Sequence, residues 1–231
     1  MNYLLDGLSR AGGLLASGDA ETFSAVSATL EATALAMGAA LIPGLPAGFC
    51  LGYFRFPGRR ILRMISDALM AFPTVVIGLL VYAMLSRRGP LGELGLLFTV
   101  PGMALGLTLL ALPMIVSLTA SAVEQMDSRL RLSLLTLGAD SRQLLLGVLW
   151  EARFGVLAGA VAAFGRVVSE VGIAMMVGGN IKWHTRTITT AIALETGKGE
   201  FAQGIALGVV LLGIALGVNA VLAMLRRRTG P

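Results

Sequence analysis

Two ionisable residues, Arg166 and Glu170, stand in an otherwise apolar stretch, 154–176. Four positions apart, they share one face of a helix and lie within reach of each other. A charge left unpaired in lipid costs about 2.5–3.5 kcal/mol on insertion scales, so both must face protein or water. Two readings follow. The pair is a structural ion pair at a helix or subunit interface, or Arg166 lines a pathway and draws an oxyanion while Glu170 restrains it. An unrestrained arginine would trap such an anion, so a pathway arginine should be partly neutralised. Next comes VGGNIKWHTRTITT, residues 177–190. Gly178 and Gly179 permit an irregular backbone. Exposed amides with Asn180, Thr185, Thr187, Thr189 and Thr190 suit hydrogen bonding to a tetrahedral oxyanion, and Lys182 and Arg186 add a positive field. The same loop could instead cap the bundle and meet a partner through Trp183 and His184, and the two roles are compatible.

Other chemistry finds little support. His184 is the sole histidine and Cys50 the sole cysteine, so neither a metal cluster nor an intrachain disulfide is expected. No Gly-x-x-x-x-Gly-Lys-Ser/Thr loop is present to cradle nucleotide phosphates, and the one histidine has no serine–aspartate partners. The chain is expected to be no enzyme itself and to need no cofactor or metal.

The elements that must position these residues are membrane helices. Hydrophobic residues make up 56% of the 231 and charged residues 13%, against roughly 25% charged in soluble domains. Mean hydropathy is +0.83. Thirty glycines fit closely packed spans, where small residues let backbones approach. With about 20 apolar residues needed per span, five spans are predicted, at 22–51, 64–85, 99–123, 154–176 and 201–225. The first should kink at IPGLPAG (42–48), and the second carries Pro73. The opening residues lack the basic start and long apolar core of a signal peptide. An N-terminal piece bearing Leu4, Leu5, Leu8, Leu14 and Leu15 should lie on the outer surface or against the bundle.

Basic residues set the orientation. One set of ends holds Arg55, Arg59, Arg60, Arg63, Arg129, Arg131, Arg142, Arg153, Arg226, Arg227 and Arg228; the other holds only Arg10, Arg87, Arg88, Lys182, Arg186 and Lys198. By the positive-inside rule the first set is cytoplasmic, which puts the N-terminus outside and the C-terminus inside. The net charge of +5 then reflects loop topology and implies no nucleic acid.

Segment 124–153 is too charged to span and too apolar for a floppy loop. EQMDSRLRLSLLTLG reads as a helix with Leu130, Leu134 and Leu137 on one face, stopped by Gly138. Asp140 followed by Gln143 resembles a capping box that restarts a helix. A compact cytoplasmic knob results.

The spacing around Gly138 resembles the cytoplasmic signature of ABC-transporter permeases, Glu-Ala-Ala, three residues, Gly, nine residues, Ile-x-Leu-Pro. Leu132, Ser133 and Leu134 fall at the Glu-Ala-Ala positions, and Val148, Trp150 and Glu151 at the Ile, Leu and Pro positions; only Gly138 and Val148 match. Longer runs resemble the membrane subunits of tungstate and molybdate ABC importers: AFPTVVIGLLVYAMLSRRGPLGELGLLFT (71–99), ALPMIVSL (111–118) and FGRVVSEVGIAMMVGGNIKWHTRTITTAIALETGKGEFAQGIAL (164–207).

The resemblance implies an all-α membrane protein with the type I importer fold. Residues 1–20 would form an extracytoplasmic segment, 21–225 the transmembrane domain and 226–231 a cytoplasmic tail, in a bacterial or archaeal plasma membrane. It further implies a homodimer, two ATP-binding subunits and an outer tungstate-binding protein. Leu134, Gly138, Ala139, Asp140 and Arg142 would then form the ATPase-coupling knob. Arg166, Glu170, Asn180, Thr185, Arg186 and Thr187 would form the pathway or its interface, and Pro43 and Pro73 the pivots of alternating access. Molybdate and sulfate are the alternative cargoes. An ATP-independent secondary transporter is the alternative class.

Overall fold

The computed structural model describes residues 3–126 and 133–229; the positions of Arg129, Leu130, Arg131 and Leu132 lie outside the described residues. Its helices are α1 (Tyr3–Ser17), α2 (Ala20–Tyr53), α3 (Arg59–Met70), α4 (Thr74–Leu85), α5 (Val100–Glu124), α6 (Ser141–Val168), α7 (Gly172–Gly178), α8 (Ile188–Gly197) and α9 (Phe201–Thr229). Among the described residues there is no strand.

Among the described residues four helices are long and apolar enough to cross a membrane: α2, α5, α6 and the first twenty residues of α9. The α3–α4 pair supplies a fifth span if counted as one. The predicted span 64–85 is broken at its proline: α3 and α4 meet at an angle of 96°. Pro73 stands at the start of α4 and has no N–H to extend the α3 ladder. At twelve residues, α4 is only about 18 Å long, too short to cross unaided a hydrocarbon core of about 30 Å.

The fourth span is also shifted. It begins at Ser141 rather than 154, ends at Val168 and resumes as α7 after a three-residue break. Arg142, Glu151 and Arg153 therefore lie in the first turns of the spanning helix and not in a separate knob helix. Twenty-eight residues make about 42 Å of helix, enough for those turns to project beyond the lipid core. Around the expected kink, α2 continues as one helix with Pro43 and Pro46 inside it.

The centre of the bundle is the α2–α5 pair. Every fourth residue of α2 from Ala28 to Gly52 is alanine or glycine: Ala28, Ala32, Ala36, Ala40, Gly44, Gly48 and Gly52. The four alanines are at most 6% exposed. A Cβ at Gly48 would lie 2.6 Å from the Val116 carbonyl oxygen and 2.7 Å from Thr119 Cβ; one at Gly52 would lie 2.7 Å from Val123 Cβ. Small residues at this spacing let helix backbones touch, which is how spans associate when lipid supplies no hydrophobic drive. Gly155 and Gly159 do the same for α6 against Ala122 and Leu118. Near the start of α5, Gly106 meets Ile173 of α7, and Gly78 of α4 meets both Ile173 and Met176. At the outer flank of the bundle α1 packs on α9, with Gly7 against Ile205 and the Tyr3 ring edge-on to Phe201.

Arginines tie α3 down. Arg59 donates to the carbonyls of Leu51 and Gly52 at the end of α2 and pairs with Glu124. Arg63 donates to the Ser117 carbonyl and the Ser121 hydroxyl of α5, and Ser117 donates to Asp67.

The register of the small-residue ridge is testable. Gly48→Val should destabilise the protein by about 1–3 kcal/mol through overpacking, seen as a lower unfolding midpoint in detergent. Gly38→Ala, where an added Cβ meets nothing within 4 Å, should leave that midpoint unchanged or raise it.

Candidate functional site

At the end of α6 the chain must stop one helix and start another inside apolar surroundings, which leaves backbone N–H groups without partners. Glu170 meets that need. Its Oε1 accepts from the N–H groups of Gly172 (2.9 Å) and Ile173 (3.3 Å), the first residues of α7. Its Oε2 accepts from Arg166 at 2.7 Å. The Glu170 backbone carbonyl accepts from the Thr189 hydroxyl at 3.0 Å. The carboxylate is buried, 3% exposed, whereas the Arg166 side chain remains 41% exposed. The two charges thus differ in role: Glu170 is structural on every side, and Arg166 offers the rest of its guanidinium fork to open space.

The threonine run continues this network. Thr187 caps α8, accepting from the N–H of Thr190, whose hydroxyl in turn accepts from the N–H of Thr187. The Thr187 and Thr189 hydroxyls lie 2.9 Å apart. The N–H of Ile188 donates to Thr29 of α2 at 2.9 Å. Glu170, Thr189 and Thr187 therefore form one hydrogen-bonded group joining α6, α7 and α8.

Thr185 serves the preceding loop. It is 1% exposed, donates to the Gly178 carbonyl and accepts from the N–H of Ile181. The loop is irregular, as the two glycines suggest: Gly179, Asn180 and Trp183 have φ of +71°, +52° and +69°. Asn180 is half-buried, and its side-chain oxygen has no hydrogen-bond partner among the described residues.

The expected positive field of this loop is cut by a residue that sequence reasoning missed. Glu21, in the first turn of α2, pairs through one oxygen with Lys182 (2.7 Å) and through the other with Arg186 (2.5 Å). Two cations and one carboxylate leave a single net positive charge. Asp19 beside them caps α2, accepting from the Thr22 hydroxyl and N–H; those bonds hold its carboxyl below the ordinary range. Among the described residues no hydrogen bond joins Asn180 or Arg186 to the Glu170 group.

At the arginine-rich end, the turn at 137–140 has the geometry its residues suggest. Residues 133–136 are helical, and the N–H groups of Gly138 and Ala139 donate to Leu135 and Leu134. Gly138 has φ +79°. Asp140 and Gln143 form the full reciprocal capping box at the start of α6. Leu134 packs over Gly147, while Leu137 is 82% exposed. Arg142 lies in the first turn of α6 and Ala139 in the turn itself. Pro43 is exposed in mid-α2, and Pro73 marks the break before α4.

Long glycine-ridged spans, one broken at a buried carboxylate and one at a proline, define a polytopic membrane protein. Comparison with known proteins makes this specific. The chain belongs to the family described as binding-protein-dependent transport system inner membrane component, whose model matches residues 44–231. It is 44% identical over 227 residues to the tungstate uptake system permease protein TupB of Campylobacter jejuni, covering 98% of this chain and 95% of that one. It is 38% identical over 228 residues to the protein of the same name from Peptoclostridium acidaminophilum, covering 98% and 99%. In fold it resembles the inward-facing MetNI methionine ABC transporter, with a TM-score of 0.71 at 20% identity over 90% of this chain and 95% of that one. The chain is thus a multi-pass inner-membrane protein with the type I ABC importer permease fold.

Glu170→Leu should leave two α7 amides and Arg166 without partners, costing about 2–4 kcal/mol, and should lower the unfolding midpoint in detergent by several degrees. Glu170→Gln keeps one acceptor and should fall between the two. Equal midpoints for all three proteins would contradict the role assigned to the carboxylate.

Proposed function

We propose that this chain is the permease subunit of an ATP-driven importer of tungstate, working as a homodimer. The observation that carries this is the 44% identity, across 98% of the chain, with a tungstate uptake permease. Two ATP-binding subunits dock at the arginine-rich end, which is cytoplasmic by the positive-inside rule, and a tungstate-binding protein docks at the opposite end. ATP hydrolysis belongs to the partners.

The coupling element is the turn formed by Leu134, Gly138, Ala139, Asp140 and Arg142. Its support is a protruding Leu137 beside a glycine whose backbone other residues adopt only with strain, at the head of the spanning helix α6. Motion of that turn is passed along α6 to Arg166 and Glu170.

In the pathway, Arg166 meets the anion, since its side chain stays 41% exposed while Glu170 reduces its hold. Asn180, Thr185, Arg186 and Thr187 frame the outer entrance; Thr185 and Thr187 act by fixing its backbone, as their hydroxyls are already bonded. Pro43 and Pro73 are the pivots. Molybdate has the same charge and nearly the same size, so selection between the two falls to the binding protein.

Uptake of labelled tungstate by vesicles holding the full complex should require ATP and the binding protein. Excess molybdate should compete only as far as it binds that protein. Transport by the permease alone would favour a secondary transporter instead. Gly138→Val, which meets no clash but is forced to φ +79°, should cost about 1–2 kcal/mol of local strain. Binding-protein-stimulated ATPase activity should fall severalfold while membrane insertion is unchanged.

A further inference from the structure

Helix α3 is amphipathic the wrong way round for a soluble protein. Plotted at 3.6 residues per turn, Arg59, Arg63, Ser66 and Asp67 share one arc, and Ile61, Leu62, Met64, Ile65 and Leu69 share the other. The polar arc is turned inward, onto α2 and α5, through Arg59, Arg63 and Asp67. None of its residues is buried, and on the apolar arc Ile61 is 59% and Met64 63% exposed. An apolar face continuous with membrane-spanning helices belongs to the bilayer.

Arg59 reaches the last carbonyls of α2 and Glu124 at the end of α5, so α3 starts at the level where both spans end. Two arginines there are uncommitted: among the described residues, neither Arg55 nor Arg60 has a carboxylate or hydrogen-bond partner. With Phe56, Gly58, Arg59 and Ile61 they line an open cleft of about 730 Å³ that, among the described residues, has no acidic side chain in its lining. Phe54, 45% exposed, flanks it.

We infer that this cleft holds the headgroup of an anionic phospholipid from the arginine-rich leaflet. Arg55 and Arg60 receive the phosphate, and the acyl chains lie along Ile61, Met64 and Ile65. Basic residues just beyond a span attract anionic lipid, and a planar guanidinium binds phosphate with two parallel N–H groups. The apolar arc explains why a lipid fits better than a free anion: it offers the chains a dry surface leading directly from the headgroup.

The test uses the full chain in nanodiscs of phosphatidylcholine with a minor fraction of phosphatidylglycerol, followed by native mass spectrometry of retained lipid. Neither tungstate nor the ATP-binding partner is present, so the outcome is independent of the cargo assignment. The wild type should retain phosphatidylglycerol in preference to phosphatidylcholine. Arg55→Gln/Arg60→Gln should weaken that preference by roughly 30-fold and Arg60→Gln alone by roughly fivefold, while Arg55→Lys/Arg60→Lys keeps most of it. If the double glutamine variant does not fold, the single variant carries the test. Unchanged retention in the glutamine variants overturns the inference. So does displacement by inorganic phosphate, which would mean a free-anion site, or loss of chain–chain association without loss of lipid, which would make this face a subunit interface.

Discussion

A carboxylate inside a membrane bundle has no water to fall back on, and the placement of Glu170 constrains everything around it. Burying an ionised group is tolerable only when partners satisfy it on all sides. Here the carboxylate's partners come from two helices, Arg166 on α6 and two amides at the start of α7, while Thr189 at the start of α8 donates to the Glu170 backbone carbonyl. The break between α6 and α7 exists because those amides have an acceptor in place of the carbonyls a continuous helix would supply. The position of α8 follows from the same residue through its backbone oxygen. A single residue therefore fixes the end of α6, the start of α7 and the partial neutralisation of Arg166.

The rest of the bundle divides by how it packs. The alanine–glycine ridge of α2 lies against α5 with backbones in contact, and the glycines of α6 approach α5 in the same way. Close approach of this kind gains its energy from many small dispersion contacts and loses it quickly with separation, so drawing α2 or α6 away from α5 is costly. The α3–α4 elbow is held differently. Its polar arc is fixed to α5 by arginines at one end, and α4 meets α7 through Gly78 at the other, with Pro73 between them. Two discrete attachments flanking a proline break suit an element that changes angle while its ends stay docked.

Local features were legible in the sequence, and long-range ones were not. The capping box at Asp140 and Gln143, the glycine stop at 138 and the pairing of Arg166 with Glu170 each depend on residues within four positions of one another, and each is present. Hydropathy located the membrane-crossing segments. It misjudged the start of α6, because charges in the first turns of a long helix look the same in sequence as charges in a loop. The small-residue ridge was open to view as a four-residue period, but its partner on α5 was not. Glu21, more than 160 positions from Lys182 and Arg186, carries no local sign of its role. Arg59 and Arg63 read as topology signals although they also satisfy backbone carbonyls of α2 and α5.

That double use of arginine bears on how an anion would travel. At the end away from the arginine-rich side, Lys182 and Arg186 share Glu21, Lys198 pairs with Glu195, and Arg10 lies 4.0 Å from Glu200. The basic and acidic residues assigned to that side are equal in number: Arg10, Arg87, Arg88, Lys182, Arg186 and Lys198 against Asp6, Asp19, Glu21, Glu93, Glu195 and Glu200. The arginine-rich end, with eleven arginines against Asp67, Glu124, Asp127, Asp140 and Glu151, therefore carries the whole positive excess, and Glu31 within α2 brings the chain to +5. An entrance that is neutral on balance cannot concentrate a dilute divalent anion from solution, because steering of that kind needs a net field. In the proposed importer capture must come from the binding protein. The permease then has only to accept a cargo already delivered, and a half-neutralised Arg166 gives it a well shallow enough to leave.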